Sequence, residues 1–284
     1  MINTELTSIA HKINHPIAII DSGVGGLSIM KTINAQLPSE ALVYVADTAF
    51  APYGEKSTLE IVQRVNIITA KLLNVPIKAL VVACNTATVN AIDQLRTQYP
   101  SLPIIGVEPA IKPAVKLSCN KKIGLLVTQA TAVNPRFLAL VKQHSNGADV
   151  IIQACPGLVQ LIEQGLHNSP QCFELLRHYL TPLMAQQIDT LVLGCTHYPF
   201  LADSIHAITG TNIALVETAE PVGKELQRRL INNNLLAKPA DPNSNTLLNN
   251  HLRFFTTASS CQQAPVFDQL WQAKISLEYF AAIS

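Results

Sequence analysis

Charge is scarce in this 284-residue chain: only 14% of residues are Asp, Glu, Lys or Arg, and 20 basic side chains against 19 acidic ones leave a net charge of +1. No basic block occurs, which excludes nucleic acid as a primary partner. No stretch reaches the ~20 apolar residues needed to cross a bilayer, so no membrane partner is expected. Residues 1–15 lack a charged segment followed by an apolar one, the pattern of a secretory leader, so they read as a lead-in and the expected location is cytoplasmic. None of the six cysteines (84, 119, 155, 172, 195, 261) forms a CxxC pair. That removes the usual spacing for structural zinc or thioredoxin-type redox work, and no metal is expected. In a reducing compartment all six are thiols. What the chain has in abundance is apolar: hydrophobic residues make up 48%, an enzyme-like composition. A chain of this length buries ~75% of its unfolded surface.

Short β-branched runs alternate with helical spacing. Strands are expected at 16–21, 41–47, 77–84 and 102–108, with helices over 27–37, 59–73 and 86–98 between them. The pattern restarts with strands at 121–128, 148–155, 188–195 and 212–218 and helices ending near 144, over 156–165 and over 171–187. Asp21 and Cys84 are 63 positions apart; Thr128, at the corresponding strand end, and Cys195 are 67 apart. This is an internal repeat of roughly one hundred residues. The expected fold is therefore α/β: two similar lobes, each a mostly parallel sheet flanked by helices, related by a pseudo-twofold axis with the active site between them. Residues 16–108 plus 219–284 make the first, discontinuous lobe, and 109–218 the second. In the tail, a helix is expected over 219–232, a polar loop over 236–250, a strand at 252–258 and a last helix over 264–279.

The repeat places two cysteines in matched settings, VVACNTAT (81–88) and LVLGCTHY (191–198). A cysteine after a buried strand is ordinarily a small core residue, and that reading is kept for Cys119, Cys155, Cys172 and Cys261. For Cys84 and Cys195 the repeated context and polar neighbours favour reactive thiols. Ligands of open α/β sheets bind beyond the carboxyl ends of the strands, where Asp21, Ser22, Asp47, Cys84, Asn85, Thr128, Cys195, Thr196 and His197 all fall. Both cysteines precede helical patterns, whose positive ends favour a thiolate and whose free N–H groups suit a carboxylate. His197 has a proton-transfer role or a structural one. The glycines of SGVGGLS (22–28) follow neither GxGxxG nor a P-loop; they suit a close backbone approach to a small ligand, or simply a tight turn. Asp21 suits a substrate ammonium, or with Ser22 a helix cap. Tyr53 in PYG either lines a pocket or sits in a surface turn. Glu163 is either an exposed helix position or an acid buried near one thiol.

Six segments together resemble the glutamate racemases, a family of cofactor-independent amino-acid racemases: IDSGVGGLS (20–28), YVADTAFAPYGEKS (44–57), VVACNTAT, IGVEPAIKPA (105–114), CPGLVQLIEQG (155–165) and LVLGCTHYPFL (191–201). The resemblance implies that Cys84 and Cys195 are acid/base thiols on opposite faces of the substrate α-carbon, the first acting on the D enantiomer and the second on the L. It implies Asp21 as helper of Cys84, and Glu163 with His197 beside Cys195. It implies Asp21, Ser22, Pro52, Tyr53, Gly54, Asn85, Thr86, Thr128, Thr131, Thr196 and His197 as substrate contacts, glutamate as substrate and no cofactor. The product would feed peptidoglycan synthesis. A cell-wall-precursor activator and a homodimer are carried as partner expectations. The chain departs from the usual pattern at Ala51, Gln129 and Glu217-Thr218-Ala219, which touches loop detail. An aspartate racemase or maleate-type isomerase, a cysteine hydrolase using Cys195 and His197, and a binding module without turnover are the competing expectations.

Overall fold

The computed structural model describes residues 12–238 and 252–281. Most of the lead-in 1–15 and most of the loop 236–250 lie outside the described residues. The chain runs β1 (Ile17–Asp21), α1 (Leu27–Gln36), β2 (Leu42–Ala46), α2 (Thr58–Leu72), β3 (Ala79–Val82), α3 (Asn85–Gln98) and β4 (Ile104–Gly106). It continues through α4 (Ile111–Leu117), β5 (Lys122–Val127), α5 (Gln129–Ala132), α6 (Pro135–His144), β6 (Asp149–Ala154), α7 (Leu158–Glu163), α8 (Pro170–Ala185), β7 (Thr190–Leu193), α9 (Ala202–Thr209) and β8 (Ala214–Val216). It ends with α10 (Ala219–Asn232), β9 (Leu252–Thr256), α11 (Ser260–Trp271) and β10 (Leu277–Tyr279).

Among the described residues two sheets result, ordered β10-β9-β2-β1-β3-β4 and β6-β5-β7-β8, and every strand pair is parallel. The fold is α/β, as the alternation of periods implies. Every residue of β1 and β3 is buried, because helices cover both faces, and such strands read as unbroken apolar runs. Local signals set the helix starts. Ser57 and Glu60 form a capping box at α2, and Asn134 and Ser169 cap α6 and α8 just ahead of Pro135 and Pro170.

The order β2-β1-β3-β4 in one sheet matches β6-β5-β7-β8 in the other. The match extends to single bonds. Ala83 N–H donates to Ile20 O and Gly194 N–H to Leu126 O, each one residue before a cysteine; Asp47 N–H donates to Asp21 O and Cys155 N–H to Val127 O. The largest apolar cluster joins the two halves, packing Val24 and Leu27 with Leu158, Ile162 and Leu201.

The tail differs from expectation at its end. The last helix stops at Trp271, where Gln272 takes a left-handed conformation (φ 64°). Asp268 accepts the Ile275 N–H at 3.0 Å and the Lys274 ammonium at 2.7 Å, folding the chain back so that Leu277–Tyr279 becomes the edge strand β10 beside β9. Helices α4 and α9 are short additions that the sequence patterning did not resolve.

Candidate active site

Matched register delivers the two thiols. Ile20 pairs with Val82 and Leu126 with Leu193, and each cysteine lies two residues beyond its paired strand residue. Cys84 then becomes the N-cap of α3, its Sγ accepting the Ala87 N–H at 3.4 Å. Cys195 differs: Pro199 and a short 3-10 turn (Tyr198–Leu201) intervene before α9, so it caps no α-helix. Both cysteines are buried at 6% exposure, and a charge on Cys195 raises the Cys84 thiol further.

The helix end does not leave Cys84 acidic. Burial, reinforced by the charge of Asp21, pushes the Cys84 thiol up to about 12, and its hydrogen bonds with Ser22 and the Ala87 N–H only partly offset this. Asp21 is itself raised, chiefly by burial, although it accepts the Gly23 N–H at 2.9 Å and lies near His197. The Thr196 hydroxyl reaches Asp21 Oδ1 at 3.4 Å, so Asp21 links the surroundings of the two sulfurs.

The Cys195 side carries a relay. His197 Nδ1 is 3.6 Å from Cys195 Sγ, and His197 Nε2 is 2.5 Å from Glu163 Oε1, which also accepts the Val24 N–H at 2.8 Å. Burial opposes a charge on His197, but the hydrogen bonds and charges of Cys195 and Glu163 prevail and raise it well above the usual histidine value. Glu163 touches the thiol only through this imidazole. The sign of the shift is testable: a raised group keeps its proton as pH climbs past 6.5, so nitrogen NMR of His197 is expected to show imidazolium at pH 7.5, with Glu163→Gln lowering the midpoint. A neutral ring at that pH in the unmodified protein would remove the relay.

The glycines of SGVGGLS turn out to serve side chains. A Cβ on Gly23 would lie 1.8 Å from Glu163 Oε1, one on Gly25 would lie 2.4 Å from His197 Nδ1, and one on Gly26 would lie 2.8 Å from Asp21 Cβ. The close approach expected of a ligand is taken up by the relay itself. The same turn is anchored by the Tyr44 hydroxyl, which donates to Gly23 O at 2.6 Å, and by Ser28, whose hydroxyl donates to Thr196 O at 3.0 Å.

The remaining expected residues close the space between the sheets. Thr86 on α3 is hydrogen-bonded to Thr128 (2.9 Å), the cap of α5 after the second sheet's β5, and to Thr131 within α5 (3.2 Å). Asn85 donates to Val107 O at 3.4 Å while its Oδ1 is buried without a partner, an acceptor ready for a cationic ligand group. Pro52, Tyr53 and Gly54 form a turn against the second sheet, with a Cβ on Gly54 falling 3.0 Å from Thr128 Cβ. The Tyr53 ring packs into the apolar core beneath the turn, bordering a small gap with Ile20, Val65, Ile68, Asp21 and Ala87. The Tyr53 hydroxyl, however, is turned away to Asp47 Oδ2 at 2.7 Å. Of the other cysteines, Cys155 and Cys172 are buried in the core while Cys119 and Cys261 are exposed. Among the described residues, no group of three or more His, Cys, Asp or Glu is placed to hold a metal ion, and no helix is long and apolar enough to cross a membrane.

Sequence reasoning missed the support beneath that turn. Arg64 pairs with the wholly buried Asp47 through Nε (2.7 Å) and Nη2 (2.6 Å). A signal was present: Arg64 interrupts the buried stripe Ile61, Val65, Ile68 of α2, and a cation in such a stripe demands a buried anion. Nothing local pointed to Thr257, whose hydroxyl donates to Asp47 Oδ1 at 2.8 Å from 210 positions away.

Comparison with known proteins accords with this geometry. The family model of the Asp/Glu/hydantoin racemases matches residues 17–220. A glutamate racemase of Ectopseudomonas mendocina is 47% identical over 222 residues, 78% of this chain and 84% of the relative. Two solved structures superpose over 95% of this chain: a glutamate racemase isoform of Bacillus anthracis (TM-score 0.84, 32% identity, 99% of that chain) and the Escherichia coli glutamate racemase in complex with L-glutamate and the activator UDP-MurNAc-Ala (TM-score 0.78, 31% identity, 100% of that chain). With two parallel sheets carrying cysteines at equivalent strand ends and a family match across most of its length, the chain belongs to the Asp/Glu/hydantoin racemase family and is an isomerase.

Proposed function

We propose that the protein interconverts L- and D-glutamate by proton transfer between two cysteines at the α-carbon. The observation that carries this reading is the pair of thiols at equivalent strand ends of two topologically matched sheets, each with its own helpers. The relatives' names and the L-glutamate held by the E. coli structure support glutamate as substrate. Cys195, hydrogen-bonded to the His197 imidazolium, accepts the α-proton of the L enantiomer. The Cys84 thiol, held protonated by burial and by Asp21, delivers a proton to the opposite face. In the reverse direction the substrate ammonium, placed beside Asp21 and Asn85 Oδ1, offsets the negative surroundings that keep Cys84 protonated. Carbanion charge next to the carboxylate is stabilised by hydroxyls and helix-terminal N–H groups fixed in advance at Ser22, Asn85, Thr86 and Thr196. The chemistry asks for no cofactor. The product would supply D-glutamate for peptidoglycan in the cytoplasm, and a cell-wall precursor of the kind bound in the E. coli structure is the natural candidate activator.

The test is turnover of L-glutamate in deuterated water. D-glutamate is expected to carry solvent deuterium at the α-carbon while unreacted L-glutamate keeps its protium early in the reaction, because different sulfurs serve the two faces. Product that retains α-protium would rule out this mechanism.

A further inference from the structure

We infer that Asp47, Arg64 and Thr257 form a positioning unit for the substrate turn, acting through the Tyr53 hydroxyl. The inference rests on the glutamate reaction proposed above.

Asp47 follows β2 at its carboxyl end, on the same rim as Asp21 and Cys84, and it is completely buried. Both of its oxygens are fully engaged. Oδ1 accepts from Arg64 Nη2 (2.6 Å) and the Thr257 hydroxyl (2.8 Å); Oδ2 accepts from Arg64 Nε (2.7 Å) and the Tyr53 hydroxyl (2.7 Å). Four donors from three separate elements therefore converge on one carboxylate, using about all the lone-pair sites it has. Thr257 Oγ1 also accepts the Ala49 N–H at 3.1 Å, so it grips the start of the Thr48–Glu55 loop as well. Phe50 packs edge-on against Tyr53 at 5.9 Å and lies under the Arg64 guanidinium at 5.4 Å.

A buried ion pair of this kind is poorly explained by stability, since well-packed apolar residues at such positions commonly fold as well or better. What the pair supplies is a rigid acceptor at a fixed height above the sheet. Tyr53 is thereby locked with its ring buried at 2% exposure, and Gly54 is locked against Thr128 across the gap between the sheets. The bidentate fork matters: a lysine carries the charge but cannot hold both oxygens in plane. Thr257, the residue after β9, lies beyond residues 17–220, so the C-terminal segment contributes to the site from outside the part matched by the family model.

Steady-state kinetics, thermal melting and hydrogen exchange on the full chain test this with Tyr53→Phe, Thr257→Val and Arg64→Lys. Tyr53→Phe is expected to raise KM for L-glutamate about tenfold, the scale of one lost bond to a charged acceptor, while kcat falls less than threefold. Thr257→Val is expected to raise KM severalfold, and the double variant to fall short of the product of the two, because both act through Asp47. Arg64→Lys does not restore KM. Amide exchange over residues 49–56 rises in each variant, while β2 and α2 keep their protection. A lowered melting temperature with KM unchanged, or unaltered exchange in the turn, overturns the inference. Absence of glutamate turnover by the unmodified protein would instead overturn the proposed function, and the exchange readout, which needs no substrate, still decides the positioning role.

Discussion

Replacing Cys84 with serine is expected to lower racemisation by about 10²- to 10⁴-fold, the scale of a lost acid/base group, and Cys195→Ser by a similar factor. The loss must appear equally in both directions although each thiol serves one face. Enantiomers have equal free energy in water, so the ratio of kcat/KM for L- and D-glutamate is fixed at one in any variant. What distinguishes the variants is exchange without inversion. With Cys195 intact, Cys84→Ser still removes and returns the α-proton of L-glutamate, washing in deuterium from solvent but forming almost no D-glutamate. Cys195→Ser reverses the preference. Chiral chromatography with mass detection reads both quantities in one experiment. Full racemisation by Cys84→Ser would take that residue out of the chemistry, and exchange of the wrong enantiomer would interchange the two faces.

How much of this was legible in the sequence depended on whether the determinant was local. The strands were readable because burial on both faces leaves unbroken apolar runs such as LVV and LVL, and the matched cysteine contexts revealed the repeat because equivalent strand ends need equivalent small residues. The turn at Gln272 was not readable: it is held by Asp268 reaching forward to Lys274 and Ile275, while the residues that follow carry no glycine to mark the break. The relay lay between these cases. Glu163 and His197 were each visible as polar residues in suggestive places, but only the fold brings α7 across to the SGVGGLS turn, 139 positions away from Val24 in the chain. The acidity of Cys84 shows the same limit from the other side. A helix N-terminus is a local feature that favours a thiolate, whereas the burial and the Asp21 charge that outweigh it come from tertiary packing.

Gly23→Ala offers the second large effect, and it isolates the relay from the thiols. The added methyl would sit 1.8 Å from Glu163 Oε1, a clash that something must relieve. The turn cannot move, because Gly23 N–H is bound to Asp21 Oδ2, Gly23 O accepts the Tyr44 hydroxyl, and the Val24 side chain is buried. The carboxylate can: it is the far end of a flexible side chain, placed at the last residue of α7 and 14% exposed. In doing so it gives up both the His197 ring and the Val24 N–H. Hydrogen bonds to a charged partner contribute about 1.5–3 kcal/mol, so kcat/KM is expected to fall roughly 10- to 150-fold. Folding stability is expected to fall as well, by about 1–3 kcal/mol, because water solvates the displaced carboxylate but the buried Val24 N–H and His197 ring lose their acceptor. His197 then loses a main support of its charge, and its titration midpoint falls toward the ordinary histidine value. The decisive comparison is a double-mutant cycle with Glu163→Gln. If both substitutions disable the same imidazole–carboxylate contact, the pair together costs scarcely more than either alone. Additive losses would mean that Gly23 serves the substrate directly, and an alanine variant of full activity would mean that the Glu163–His197 contact contributes nothing to proton transfer at Cys195.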